Sequence, residues 1–123
     1  MAYENAAYSA GTPVTDPQII AGGTYTTRVV TLLSGEVRSA GAVLGKITSG
    51  GKYKLSASAA GDGSEDVALV LAHDADASGG DIEVLCYETC SGGVVGSALT
   101  LGTGHTIASI RDAMRAIGLP IDD

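Results

Sequence analysis

The chain has 123 residues, the length of one domain, and 18 of them are glycine, which is typical of many turns and short strands. Seven Lys and Arg against 14 Asp and Glu give a net charge of −7, which argues against nucleic acid or an anionic membrane surface as a partner, because both are bound through basic side chains. The longest apolar run, residues 67–72, is far too short to span a bilayer.

Residues 1–18 show no sustained period of 2 or 3.6 and combine tyrosines and prolines with small and polar side chains. Such a segment cannot by itself bury enough surface to offset its ordering entropy, so it is either a disordered tail or an extended arm that orders on a partner. We favour the arm. Its predicted partner contacts are Tyr3, Tyr8, Pro13, Val14, Pro17, Ile19 and Ile20. No basic region followed by an apolar stretch marks a secretory signal, so we expect a protein that is used in the cytoplasm or carried out inside a larger assembly.

Residues 19–123 are predicted to form one β-rich domain, which opens with a strand at residues 26–33, rich in Thr, Val and Leu. The clearest strand pattern is at residues 42–57. There Tyr53 and Leu55 share one parity with Ala57, while polar residues take the other, as in a half-buried strand. Glycines supply positive φ between the two runs of this stretch, which predicts a β-hairpin.

Residues 67–72 are apolar at every position, which predicts a strand buried on both faces. The chain has no Phe or Trp, and aliphatic side chains bury less area than aromatic ones. Burial of the core of a compact monomer would therefore stabilise its fold only weakly. We therefore expect an oligomer, with this strand lying between a core and a subunit contact. The residues assigned to the core or to that subunit contact, which we expect to lie within a trimer, are Val67, Leu69, Val70 and Leu71.

Residues 74–81 resemble the opening of a calcium-binding EF-hand loop, with Asp74, Asp76, Ser78 and Gly79 at its positions 1, 3, 5 and 6. Position 12 is Leu85, where a bidentate Glu is required, and the flanking residues predict strands instead of helices. We therefore interpret the segment as an acidic turn without a metal, in which Asp caps its own backbone.

Residues 82–89 and 94–101 predict two further strands, with a turn at residues 91–93. If Cys86 and Cys90 lie on one extended strand, their Cα atoms are roughly 13 Å apart at ~3.3 Å per residue. A disulfide needs about 4.4–6.8 Å, so we expect free thiols, unless a bend at Thr89 brings them together.

Residues 106–117 predict the single helix of the domain. Thr106 is a suitable N-cap, Gly118 a suitable C′ residue, and Pro120 prevents continuation. Apolar side chains follow the first turn at spacings of 3, 4 and 3 and form one stripe that should dock the helix. The docking residues are Ile107, Ile110, Met114 and Ile117.

The sequence offers little catalytic chemistry. His73 stands beside Asp74, but no Gly-x-Ser-x-Gly elbow accompanies them, and a hydrogen-bonded or solvated histidine is expected at the end of a strand. His105 should assist the start of the helix. The two histidines and two cysteines lack a metal-binding spacing, and no phosphate loop or dinucleotide fingerprint is present. We expect no enzyme activity, no cofactor, no metal and no small-molecule substrate.

Several blocks, in order, resemble the head decoration proteins of tailed bacteriophages, the family of the lambda decoration protein. The resemblance covers about residues 19–119. The blocks are Leu-Leu-Ser-Gly at 32–35, Gly-Ala-Val-Leu-Gly-Lys-Ile-Thr at 41–48, Gly-Lys-Tyr at 51–53, Asp-Gly-Ser at 62–64, the acidic turn at 74–81, Gly-Thr-Gly-His-Thr at 102–106 and Ile-Arg-Asp-Ala-Met-Arg at 110–115. One departure is Cys-Ser-Gly at residues 90–92, where family members often carry Gly-Glu-Phe.

The resemblance implies a mainly β protein of β-clip type, a bent ribbon ending in a partial barrel, with one C-terminal helix and an extended N-terminal arm. It also implies that the protein forms homotrimers, which sit on the outer surface of the phage head at local three-fold positions. There the trimers would be bound to the major capsid protein, after synthesis in the host cytoplasm. There they would clamp coat subunits against the pressure of packaged DNA, and the arm at residues 1–18 would contact the coat.

Two alternatives remain at this stage. Trimeric dUTP pyrophosphatases share the β-clip, but they need an Asp-containing substrate loop, an Arg-Ser-rich phosphate loop and a glycine-rich tail. Residues 117–123 supply neither phosphate donors nor an aromatic side chain. Another phage structural part, such as a tail component, would be distinguished by assembling into rings or tubes.

Overall fold

The computed structural model describes residues 19–122. Within this range the chain forms nine strands, one 3₁₀ turn and one α-helix. The elements are β1 (Tyr25–Leu32), β2 (Val37–Arg38), β3 (Val43–Lys46), β4 (Tyr53–Leu55), β5 (Val67–Leu71), β6 (Ala75–Asp76), β7 (Ile82–Cys90), β8 (Val94–Val95), the 3₁₀ turn (Gly96–Ala98), α1 (Ile107–Ala116) and β9 (Ile121–Asp122). The predicted mainly β class with one C-terminal helix is confirmed.

Five strands close into a barrel in the order β1-β4-β3-β5-β7. The seam between β1 and β7 is long and antiparallel, whereas β1 meets β4 only at its end, where Leu32 pairs with Tyr53 in parallel. The predicted hairpin is confirmed as β3 and β4, and its connection uses Gly50 and Gly51 at φ 95° and 73°. Positive φ is accessible to glycine without a Cβ clash, which is why this turn can be tight.

The apolar side chains form two separate cores. One fills the barrel, and its fully buried members include Leu32, Leu44 and Leu71. The other lies between the barrel wall and α1, where Val43 and Val70 meet the helix and the residues after it. Neighbouring residues of one strand point to opposite faces, so β3 supplies Val43 to one core and Leu44 to the other.

The predicted burial of residues 67–72 on both faces is confirmed for β5, but its cause differs from the predicted one. Leu69 and Leu71 lie inside the barrel, and Val67 and Val70 lie beneath the helix. All four side chains are at most 7% exposed in the single chain. They are core residues with no surface left for a subunit contact, because α1 covers the second face of the strand.

Helix α1 begins and ends through local hydrogen bonds. The side chain of Thr106 accepts from the Ser109 N–H at 3.1 Å, and the Ser109 hydroxyl accepts from the Thr106 N–H at 2.8 Å, which is a capping box. Gly118 takes φ 89° after the last turn, and the Leu119 N–H reaches back to the Met114 carbonyl. The predicted N-cap and C′ glycine are both confirmed.

All four predicted docking residues lie on the core side of α1. Ile110 and Met114 are fully buried in the core beneath the helix, and Ile107 and Ile117 pack against it half-buried. Within residues 19–122, no helix is both long and apolar enough to cross a membrane.

Residues 94–101 do not form the predicted strand beyond Val95. The chain turns into the 3₁₀ segment at Gly96–Ala98, and Thr100 then exchanges backbone hydrogen bonds with the residues that lead into β3. The strand β8 instead pairs in parallel with β9, an element that the sequence did not predict. Two-residue strands carry too little periodicity to be recognised from sequence.

The predicted free thiols are confirmed, and the two cysteines lie in different cores. The register between β1 and β7 shifts by one residue. Thr26 pairs with Thr89 and Thr27 with Tyr87, so Glu88 is an extra residue in β7 with no residue opposite it. Residues four apart on a regular strand point to the same face, but this bulge switches the side chains that follow it to the other face. Cys86 therefore points into the barrel, whereas Cys90 lies in the core beneath α1. Burial in the barrel raises the pKa of the Cys86 thiol to about 12, which keeps it protonated and unreactive.

Candidate functional site

Ser56 and His105 form a pair that resembles a catalytic serine and its histidine base, and the sequence analysis did not predict this pair. The Ser56 hydroxyl oxygen lies 3.1 Å from His105 Nε2, the spacing of a nucleophile and its base. Ser56 is fully buried, however, and its hydroxyl donates to the Glu65 carbonyl, which also lies 3.1 Å from His105 Nε2. The pair joins the start of α1 to the loop before β5, which gives it a structural role.

His73 is held by two hydrogen bonds, as predicted for a histidine at the end of a strand. The Leu85 N–H donates to its Nε2 at 3.0 Å, and its Nδ1 lies 2.8 Å from the Asp74 carbonyl oxygen and donates to it. The Asp74 carboxylate points elsewhere and accepts from the Ala40 N–H at 2.8 Å. These two residues therefore do not form a base and its orienting carboxylate.

The acidic turn at residues 74–81 is confirmed as a hydrogen-bonded turn. Asp76 accepts from the Ser78 N–H at 2.9 Å, while Asp81 accepts from the Ser34 N–H and pairs with Lys52. Hydrogen bonds from the side chain and the N–H of Ser78 hold the pKa of Asp76 below its usual range, and the Lys52 side chain, followed by the Ser34 N–H, does the same for the pKa of Asp81. Across residues 19–122, no three His, Cys, Asp or Glu side chains are placed to share a metal ion.

The outer surface of the barrel carries an exposed apolar face. Val29 on β1 lies directly opposite Leu85 on β7, and the two are 59% and 39% exposed. Tyr25, 52% exposed, sits on the same side of β1 and meets Tyr87 edge-to-face at 5.2 Å. We call Tyr25, Val29 and Leu85 the β1–β7 face. Clustered exposed apolar side chains of this kind mark macromolecular contact surfaces.

The predicted arm contacts divide into two groups. Tyr3, Tyr8, Pro13, Val14 and Pro17 lie outside the described residues. Ile19 and Ile20 pack within the body of the chain, Ile19 in the core and Ile20 half-buried against it, and their contact with a partner stays a prediction.

Local packing holds Ile19 and Ile20 against the core beneath α1. Ile19 is only 4% exposed and completes the core beneath α1 beside Val94. Its carbonyl accepts from the Val95 N–H at 2.7 Å, and Ile20 forms an isolated bridge with Val94. These two residues therefore anchor the segment that precedes them.

The comparisons with known proteins give one match, to a family model. No curated protein matches the chain. The family model of bacteriophage lambda head decoration protein D matches residues 17–119, a span that contains the barrel, both cores and α1. That family consists of structural capsid decoration proteins and is not a known enzyme family. Because the match covers well over half of the sequence, the chain belongs to the bacteriophage lambda head decoration protein D family.

Proposed function

We propose that this chain binds the outer surface of a tailed-phage head as a homotrimer and stabilises the coat lattice against the pressure of packaged DNA. The family match over residues 17–119 carries the proposal. The net charge of −7 supports an outer position, because an acidic protein is repelled by the DNA that fills the shell. The partner is the major capsid protein, and synthesis takes place in the host cytoplasm.

Attachment is assigned to residues 1–17, with Tyr3 and Tyr8 as anchors. An extended segment of this composition can add itself as a strand to the edge of another protein's sheet, where main-chain hydrogen bonds supply affinity and side-chain pockets supply specificity. The buried Ile19 supports this assignment, because a fixed anchor point limits the volume that the segment must search. Three such segments on one trimer would act together through effective concentration.

One binding experiment tests the function as a whole. Purified protein is mixed with undecorated heads of the parent phage, and the particles are imaged by cryo-electron microscopy. We expect added density on the outer surface at the local three-fold positions. Particles without added density, at protein concentrations well above the number of sites, would refute the decoration function.

A further inference from the structure

Among residues 19–122, no strand pairs with one backbone edge of the N-terminal part of β1, which we call its open edge. The Thr24 carbonyl accepts a hydrogen bond from the Ser91 N–H, on the side of β1 that faces β7. Backbone N–H and C=O groups alternate in direction along a strand, so those of the even-numbered residues of β1 point toward β7 and those of the odd-numbered residues point away from it. The far end of the strand agrees, because the Leu33 N–H donates to the Tyr53 carbonyl on the opposite edge. Strand β4 covers that edge only at Leu32.

The backbone groups of Tyr25, Thr27 and Val29 therefore face outward with no strand beside them among residues 19–122. Residues 25–29 are also exposed on both faces of the sheet. Proteins usually protect such an edge with Lys or Pro, and β1 contains neither residue. Its only charge, Arg28, is paired with Glu88 across the seam at 3.5 Å.

The described part of the chain begins a few residues before this edge in sequence. Residues 1–18 precede Ile19, and the Ala21 N–H donates to the Gly93 carbonyl only four residues before β1 begins at Tyr25. Both points lie at the end of the barrel where β7 finishes at Cys90. A partner that holds residues 1–17 is therefore tethered to the chain at a point close in sequence to the open edge of β1.

From this placement we infer that an extended segment of the coat protein pairs with the open edge of β1 and packs its apolar side chains on the β1–β7 face. The inference rests on the proposed decoration function and adds a second contact, on the body, to that of the arm. The main-chain groups of Tyr25, Thr27 and Val29 supply the ladder. The net charge of −7 selects a neutral or basic segment.

Two exposed valines provide a matched pair for the test. Val29 on the β1–β7 face is 59% exposed and Val37 on β2 is 57% exposed, so lysine at either position leaves the core intact. We expect Val29→Lys to weaken binding to undecorated heads of the parent phage at least tenfold, and Val37→Lys to bind within twofold of the unaltered protein. Equal binding by both variants, or equal losses, would overturn the inference.

A second variant addresses the backbone. Thr27→Pro removes an N–H that faces the open edge and leaves the ladder to β7 complete, so the fold should persist. It should also lose at least tenfold in binding. Hydrogen exchange on the particle should slow at the amides of Tyr25, Thr27 and Val29, and unchanged exchange there would overturn the inference.

Two controls distinguish the edge contact from the decoration function and from self-association. Failure of the unaltered protein to bind the heads would refute the decoration function itself, whereas normal binding by Val29→Lys and Thr27→Pro would refute only the edge contact. Sedimentation of the free variants tests whether a second copy of this chain occupies the edge. If Val29→Lys dissociated the oligomer in solution, the edge would be a contact between copies of this chain, and the coat assignment would be wrong.

Discussion

Asp62 illustrates how one side chain organises a loop. Its Oδ1 accepts from both the hydroxyl and the N–H of Ser64, at 2.5 and 3.0 Å, and Lys54 lies 3.3 Å from its other oxygen. The Ser64 hydrogen bonds are the main reason that the pKa of Asp62 falls to about 2. Ser64 is fully buried, so this carboxylate satisfies a hydroxyl that has no access to water.

The lowered pKa of Asp62 predicts an acid-sensitive contribution to stability. The unfolded chain takes up the proton near the ordinary Asp value and the folded chain only near 2, so the contribution is present above about pH 4 and is lost as the pH falls toward 2. Asp62→Asn should therefore flatten the fall in unfolding free energy between pH 4 and 2, measured by urea denaturation. Asp112→Asn, at a 97% exposed side chain, should leave that slope unchanged. Equal slopes for all three proteins would contradict the prediction.

Gly45 shows that some glycines serve close packing and not turns. It lies within β3, and a Cβ there would overlap the Ser64 carbonyl oxygen. Only a residue without a side chain lets the strand approach the loop that carries Asp62 and Ser64. The interpretation of the glycines as turn residues therefore holds for Gly50 and Gly51 but fails for this one.

Among the elements, α1 forms one wall of the core that lies between it and the barrel. A single charged substitution can test which side of the helix faces that core. Ile110→Asp places a carboxylate where Ile110 is 2% exposed, which should cost several kcal/mol, about 3–5, of unfolding free energy. Ala113→Asp puts the same charge on an exposed position of the same helix and should cost under about 1 kcal/mol. Thermal or urea denaturation compares the two variants. Similar losses would mean that the facing of the helix is wrong.

The arm and the body are separated by Ile19, which predicts a sharp boundary for truncation. Deletion of residues 1–17 should leave a folded oligomer by circular dichroism and sedimentation, and should lower capsid binding about 100-fold through the loss of three cooperating contacts. Deletion of residues 1–20 should in addition destabilise the body by about 2–5 kcal/mol, because Ile19 fills the core beneath α1. Full capsid binding after the shorter deletion would show that the body alone carries attachment.

At the scale of the whole molecule, the composition predicts association. Among the described residues, Tyr53 is the one buried aromatic side chain of either core, and the other buried members are aliphatic or small. The β1–β7 face adds apolar surface that the single chain leaves in water. Both features favour a state in which copies or partners cover more surface.

We expect the free protein to sediment as a trimer at micromolar concentration, three times the 12.2 kDa of one chain. A closed three-fold arrangement matches the local three-fold positions proposed for it on the head. Sedimentation equilibrium over a range of concentrations measures this directly. A mass of one chain throughout that range would rule out the trimer.

Features that depend on residues close together in the chain could be predicted from the sequence. The capping box and stripe of α1, the β3–β4 hairpin, β1 and the two-sided burial of β5 follow from caps, glycine turns and periods of 3.6 and 2. These signals are complete within a dozen residues, so no knowledge of the rest of the chain is needed to read them.

The tertiary structure sets the features that depend on residues far apart in the chain. It covered the second face of β5 with α1 instead of another subunit, placed Ile19 in the core, and paired β8 with β9. Within the described part of the chain it also leaves the edge of β1 open at Tyr25, Thr27 and Val29, because β4 meets β1 only at Leu32. Which strand lies beside which, and where a neighbour is missing, is set by how the barrel closes, and local periodicity carries no information about that closure.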